Sequence, residues 1–222
     1  MSEFEHGRLS PWGYIIDSEN IPDFITMQDF VQFTNNKFGN DMRIEANIPS
    51  ATASIRNYCG WHISPNLTCG MLYRVQDLRD AFIGRDLLIQ LPATFVTSVG
   101  KVVLDAVLNP STGLYEGEET EDFDIGMGDG LVRIYDVGTR DRKSNIFIKY
   151  SAGLPTEEID VIKELTAHRV VHAVSSSYGV MSESVGGVSV TYNASWAGNT
   201  RSTALPDDNR EILETYKVKG VF

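Results

Sequence analysis

The sequence predicts an α+β fold: a small helical core of two long helices plus short ones, with an inserted antiparallel β region and extended termini. Three observations carry this reading. Residues 41–59 hold an apolar stripe at helical spacing, residues 87–150 read as β-rich runs separated by turns, and a second helical pattern begins at residue 155. Helix, strands and helix in that order suit strands inserted between packed helices.

Residues 1–25 read as an N-terminal arm, because Gly7, Pro11, Gly13 and Pro22 recur among isolated aromatics and break any helical period. The first part of the helical core spans 26–60. Thr26 is a helix N-cap with Asp29 in the first turn, and Met27, Phe30, Val31 and Phe33 share one side, so a short helix runs to about Asn35. Between Asp41 and Cys59, the residues Ile44, Ile48, Ala51, Ile55 and Tyr58 follow one another at steps of four, three, four and three. Pro49 either kinks this helix or restarts it. Gly60 sits where a left-handed C-terminal cap belongs.

The β-rich insertion covers 61–150, with strands expected at L-L-I-Q-L-P, F-V-T-S-V-G-K-V-V-L, L-V-R-I-Y-D-V and N-I-F-I-K-Y. Turns are expected at N-P-S-T-G (109–113) and G-T-R-D-R-K (138–143). The second part of the core spans 151–180. Pro155 and Thr156 open its helix, Glu157 and Glu158 favour the positive end, and Ile159, Ile162, Leu165, Val170, Ala173 and Val174 are apolar. Residues 181–222 complete the chain with a strand at 187–192, a short helix with Asp208 and Glu211 at capping-box spacing, and a tail from Lys217.

Composition limits the function. A net charge of −11 over 222 residues opposes tight binding to a phosphate backbone, which requires clustered Lys and Arg. Two cysteines make no disulfide framework, and M-S-E-F-E-H-G-R lacks a signal pattern, so synthesis in a reducing cytoplasm is expected. No apolar run approaches the ~18 residues of a membrane span, so no membrane association is expected.

The best metal-ligand set is Cys59, His62 and Cys69, three soft ligands that lack a fourth. Only His168 or His172 could complete it, and that pair, four apart on a helix, lacks the glutamate of H-E-x-x-H. The alternative is structural: Cys59 as a small buried hydrophobe on the last helical turn, with Trp61 packed over the helix end. The acidic run Glu116–Asp124 lacks the order of a calcium loop and reads as a solvated loop. No catalytic residue, metal or cofactor is expected.

The segment A-T-A-S-I-R-N-Y-C-G-W-H-I-S-P, preceded by I-T-M-Q-D-F, resembles the head-to-tail adaptor (connector) proteins of long-tailed bacteriophages. The resemblance extends through L-L-I-Q-L-P, I-F-I-K-Y-S-A-G-L-P, E-S-V-G-G-V-S-V-T-Y and E-I-L-E-T-Y-K, covering roughly 25–219. It implies a virion protein, made in the host bacterial cytoplasm, that forms a dodecameric ring between the portal and the next neck, stopper or tail protein. DNA would pass loosely through its channel. Tyr58, Cys59, Gly60, Trp61 and His62 are then a structural motif. Phe4, Trp12, Tyr14 and Phe24 become candidates for contact between subunits. Lys217, Val218, Val221 and Phe222 become a portal-docking tail, since a β-prone chain end can add to a partner's sheet edge. The alternatives are another neck or tail component, such as a stopper or tail terminator, and a metal-dependent hydrolase built on Cys59, His62 and the helical histidines.

Overall fold

In the computed structural model, which describes residues 4, 7–38, 42–126, 129–137, 144–175, 182–185, 188–191 and 207–218, the strand Asn145–Ala152 is apolar on both faces, with Ile146, Phe147 and Ile148 buried in succession, and it is paired on both sides. Ten strands build one unit: β1 (Gly7–Leu9), β2 (Ile15–Asp17), β3 (Leu67–Arg74), β4 (Phe82–Ile83), β5 (Asp86–Gln90), β6 (Val96–Asn109), β7 (Leu114–Thr120), β8 (Phe123–Gly126), β9 (Leu131–Ile134) and β10 (Asn145–Ala152). They form a six-stranded sheet of order β1-β2-β3-β10-β6-β7 and a four-stranded sheet of order β4-β5-β9-β8. Every pairing between them is antiparallel.

Period-two alternation sorts the six-stranded sheet into two faces. Ile16, Cys69, Ile148, Val102 and Leu104 fill one and are buried. Phe147 leads the other, clustered with Phe4, Val103 and Ala106, with Ile15 and Tyr115 packed against them. Phe4 meets the Phe147 ring edge-on at 6.3 Å, and Tyr115 stacks on it at 4.2 Å. This explains Gly70 in mid-strand: a Cβ there would lie 2.6 Å from the Phe4 ring and 2.9 Å from that of Phe147.

Within the N-terminal arm, β1 and β2 join the sheet. Residues 7–17 form a hairpin at the edge of the sheet, its turn closed by the Ser10 N–H donating to the Tyr14 carbonyl at 2.8 Å, with Gly13 at φ +88°. The β region is accordingly larger than an insertion between helices. The acidic run is no loop, because its first half is strand β7, held in register by β6 with Glu116 opposite Val107 and Glu118 opposite Leu104. Acidic residues suit an edge strand, where their side chains reach water and discourage indiscriminate pairing. The expected turn at 109–113 is present, with Gly113 at φ +70°, and the one at 138–143 lies outside the described residues.

The chain divides into two units, the β unit (Met1–Pro22, Arg56–Ile159, Glu214–Phe222) and a helical unit (Asp23–Ile55, Asp160–Leu213). The helical unit holds α1 (Met27–Phe33), most of α2 (Met42–Cys59), α3 (Asp160–Ser175), most of α4 (Asp207–Glu214) and a hairpin of β11 (Ser182–Val185) with β12 (Val188–Thr191). Thr26 and Asp29 cap α1 reciprocally. The α2 stripe is buried as its spacing requires, and Ile44, Ile48 and Ala51 pack with Phe30, Ala167 and Val170. The helix continues through Pro49 as one element. Helix α3 opens at Asp160 rather than at Pro155, because the Glu158 N–H donates to the Pro155 carbonyl at 3.0 Å and turns the chain first.

Candidate functional site

The stretch Tyr58–His62 lies in the β unit, where α2 ends. A helix terminus leaves carbonyls without partners, and these must be satisfied when the end is buried. Here the Gly60 N–H donates to the Arg56 carbonyl at 2.8 Å, and Gly60 turns the chain at φ +80°. The Cys59 carbonyl accepts the Val218 N–H at 3.0 Å, so the C-terminal segment supplies a donor that the helix lacks.

That segment is held at two further points. The Trp61 indole N–H donates to the Tyr216 carbonyl at 2.5 Å, and the Tyr58 hydroxyl donates to Glu214 at 2.6 Å. Glu214 also pairs with Lys217 at 3.0 Å, and the Lys217 ammonium lies 5.1 Å from the centre of the Tyr58 ring. Trp61 is completely buried, stacked on Phe95 at 6.3 Å, and Phe95 in turn contacts Tyr216 at 6.0 Å.

His62 ties in the N-terminal strands. Its Nε2 lies 3.0 Å from the Ala152 carbonyl, which can only accept, so Nε2 carries the hydrogen. Nδ1 is then the acceptor for the Tyr14 hydroxyl at 2.9 Å, and the Tyr14 oxygen accepts the His62 backbone N–H at 3.2 Å. Burial pushes the imidazole down to about 4, and burial likewise raises the Tyr14 phenol. Both groups are therefore neutral at pH 7.

Arg56 completes the junction. Its buried guanidinium donates to the carbonyls of His62 at 3.0 Å, Ser64 at 3.1 Å and Pro22 at 2.7 Å. These charge-assisted bonds lock the loop that leads from the helix into β3. Sequence reasoning missed Arg56; the available signal was a lone cation between Ile55 and Cys59, beside the apolar stripe.

In this structure the three residues of the metal-ligand set are otherwise engaged. Both nitrogens of His62 contact Tyr14 and Ala152, and burial raises both the Cys59 and Cys69 thiols to about 12. His168 and His172 are exposed on α3 in the other unit, with His168 beside Glu164 at 3.7 Å. Among the described residues no three His, Cys, Asp or Glu side chains converge to hold an ion.

The remaining sequence-predicted residues have definite places. Phe4, Tyr14 and Phe24 are buried within their own chain. Phe24 lies in the helical unit, its N–H donating to the Thr52 hydroxyl at 3.3 Å. Trp12 is half-buried and stacks on Tyr14 at 6.1 Å. Lys217 and Val218 are engaged as described, while Val221 and Phe222 lie outside the described residues.

The chain matches the head completion protein family over residues 23–218 and belongs to it. Membership gives it a structural role at the phage head and neck, as a component of the virion. No curated protein matches the chain. No helix of the described residues is long and apolar enough to cross a membrane.

Two outcomes follow from the junction. Trp61→Ala should cost about 3–5 kcal/mol in denaturant unfolding, Gly60→Val about 1 kcal/mol or more, and Cys59→Ala less than Trp61→Ala. Chelator should leave the midpoint unchanged. The second outcome concerns acid. Because the His62 pKa is about 4 in the folded chain and about 6.5 when unfolded, the unfolded state takes up the proton first. Stability should therefore fall as pH drops from about 6.5 to about 4, by a total on the order of 3 kcal/mol. His62→Gln should be less stable at pH 7 and should lack this slope, as read from unfolding midpoints across that range.

Proposed function

We propose that this head completion protein is the head-to-tail adaptor, a subunit of a dodecameric ring that docks on the portal, extends the DNA channel and offers the surface on which the next neck or tail protein attaches. The observation that carries the reading is the family match, which runs from just before α1 to the C-terminal segment at Val218 and so includes the junction and both long helices. The net charge of −11 supports it, because like charge keeps passing DNA from adhering to a channel wall.

The portal contact is assigned to the tail. Lys217 and Val218 form its root, held by Glu214 and the Cys59 carbonyl, and Val221 and Phe222 are the side chains proposed to enter portal pockets. A tail that leaves from a fixed root loses less entropy on docking than one that leaves from a free end. Of the four aromatics assigned to contacts between subunits, Trp12 is the one that is not fully buried, and it remains the one proposed to face a neighbour.

Deleting residues 219–222 tests the assignment. Binding to purified portal rings should be lost with the thermal midpoint unchanged, since the root and the junction stay intact. Full affinity in the truncated protein would move the portal contact elsewhere. Images of neck complexes should show twelve copies beneath the portal.

A further inference from the structure

Helix α3 carries two of the four histidines of the chain, His168 and His172, and neither takes part in the junction at the end of α2 or in the helical core. The residues of α3 that fill that core are Ala167, Val170 and Val174. At about 3.6 residues per turn, Val161, Glu164, His168 and His172 fall together on another side of the helix. All four are exposed, with the side chains of Glu164 and His168 at 64% and 70%. Cα–Cβ bonds of a helix tilt towards its N-terminus, so each of the last three leans over the residue four positions before it. The first such step is visible in the 3.7 Å between His168 Nε2 and Glu164 Oε1. The same lean carries the His172 ring towards His168.

We propose that His168 and His172 form a two-point chelate for a divalent transition-metal ion of the zinc, nickel or copper kind, with Glu164 supplying negative charge beside it. The assignment does not depend on the ring proposed above.

Spacing and donor chemistry both fit. Residues four apart on a helix hold their Cβ atoms about 5–6 Å from each other. Two nitrogens on one ion, each about 2.0–2.1 Å from it, stand roughly 3 Å apart, which two rings closing from that spacing can reach. Imidazole suits zinc, nickel and copper, whereas calcium takes a shell of oxygens that this face lacks. Water fills the remaining positions, so no third side chain need converge. A net charge of −11 raises the concentration of cations near the surface. A chelate of two side chains holds its ion reversibly, and its effect on stability therefore appears when metal is added rather than when chelator is.

Nickel titration of the untagged full chain tests the assignment. Calorimetry at neutral pH should find one Ni²⁺ bound per chain, and the thermal midpoint should rise with Ni²⁺ concentration, because the spacing exists only in the folded helix. Ca²⁺ should produce neither effect. His168→Ala and His172→Ala should each weaken Ni²⁺ binding at least about tenfold, since each leaves one donor where two acted together. Both positions are exposed and alanine is a strong helix former, so the fold should stand. A further variant keeps the number of histidines: His172→Ala/Ala173→His moves one imidazole around the helix to another exposed position, and it should bind no better than His172→Ala. His6→Ala should bind as the wild type does. Wild-type affinity in the variant with the moved histidine, loss of binding in His6→Ala, or no stoichiometric Ni²⁺ site in the wild-type chain would each overturn the chelate.

Discussion

The end of helix α2 is the constraint on which the β unit depends. The helix must stop, its last carbonyls must find donors away from water, and the chain must turn at once into a sheet. Gly60 supplies the turn, Val218 supplies a donor to Cys59, and Arg56 binds three carbonyls of the segments around it. An unsatisfied buried group costs about 1–3 kcal/mol, so losing one partner here would consume a large part of the stability of a domain. The segments that meet at this junction come from distant parts of the chain: the turn before β2 through Tyr14, the residues after the helix, and the last residues before the tail.

This arrangement explains why the β unit is not a simple insertion. The chain enters it at the start, leaves for the helical unit, returns at Arg56, leaves again at Asp160 and comes back at Glu214. Each return is fixed by polar contacts at one place, the hydrogen bonds of Arg56, Tyr14 and Trp61. For a protein whose family role is structural, this fits mechanical duty: the segments that would carry load to a partner are rooted in the core. His62 and the two cysteines, which look reactive when read as a string, are neutral and serve as buried spacers and connectors.

Much of the fold was legible because local periodicity controls it. The Ile44, Ile48, Ala51 and Ile55 stripe, the Thr26 cap and the four β-rich runs all express a rule that operates within a few residues. Strands β3 and β7 were hidden for opposite reasons. Gly70 interrupts β3 because two aromatic rings close over it from elsewhere, and β7 is so rich in glutamate that only its pairing with β6 makes it a strand. The structural reading of Tyr58–His62 was available from Gly60 and the missing fourth ligand. Its partners were not, since nothing local to Tyr14 or Tyr216 announces a contact with His62 or Trp61. The burial of Phe4 and Tyr14 was missed for the same reason: glycine and proline between them report turns, and a hairpin shows the same signals as an arm.

The central claim is that the helix end, the N-terminal strands and the C-terminal segment form one cooperative unit. Native-state hydrogen exchange tests it most directly, comparing peptides that cover residues 12–17, 56–64 and 214–218 in the wild-type chain and in Trp61→Ala. The account predicts that the substitution speeds exchange in all three peptides by the same factor, because they open together. Faster exchange confined to residues 56–64, with the other two peptides unchanged, would contradict it.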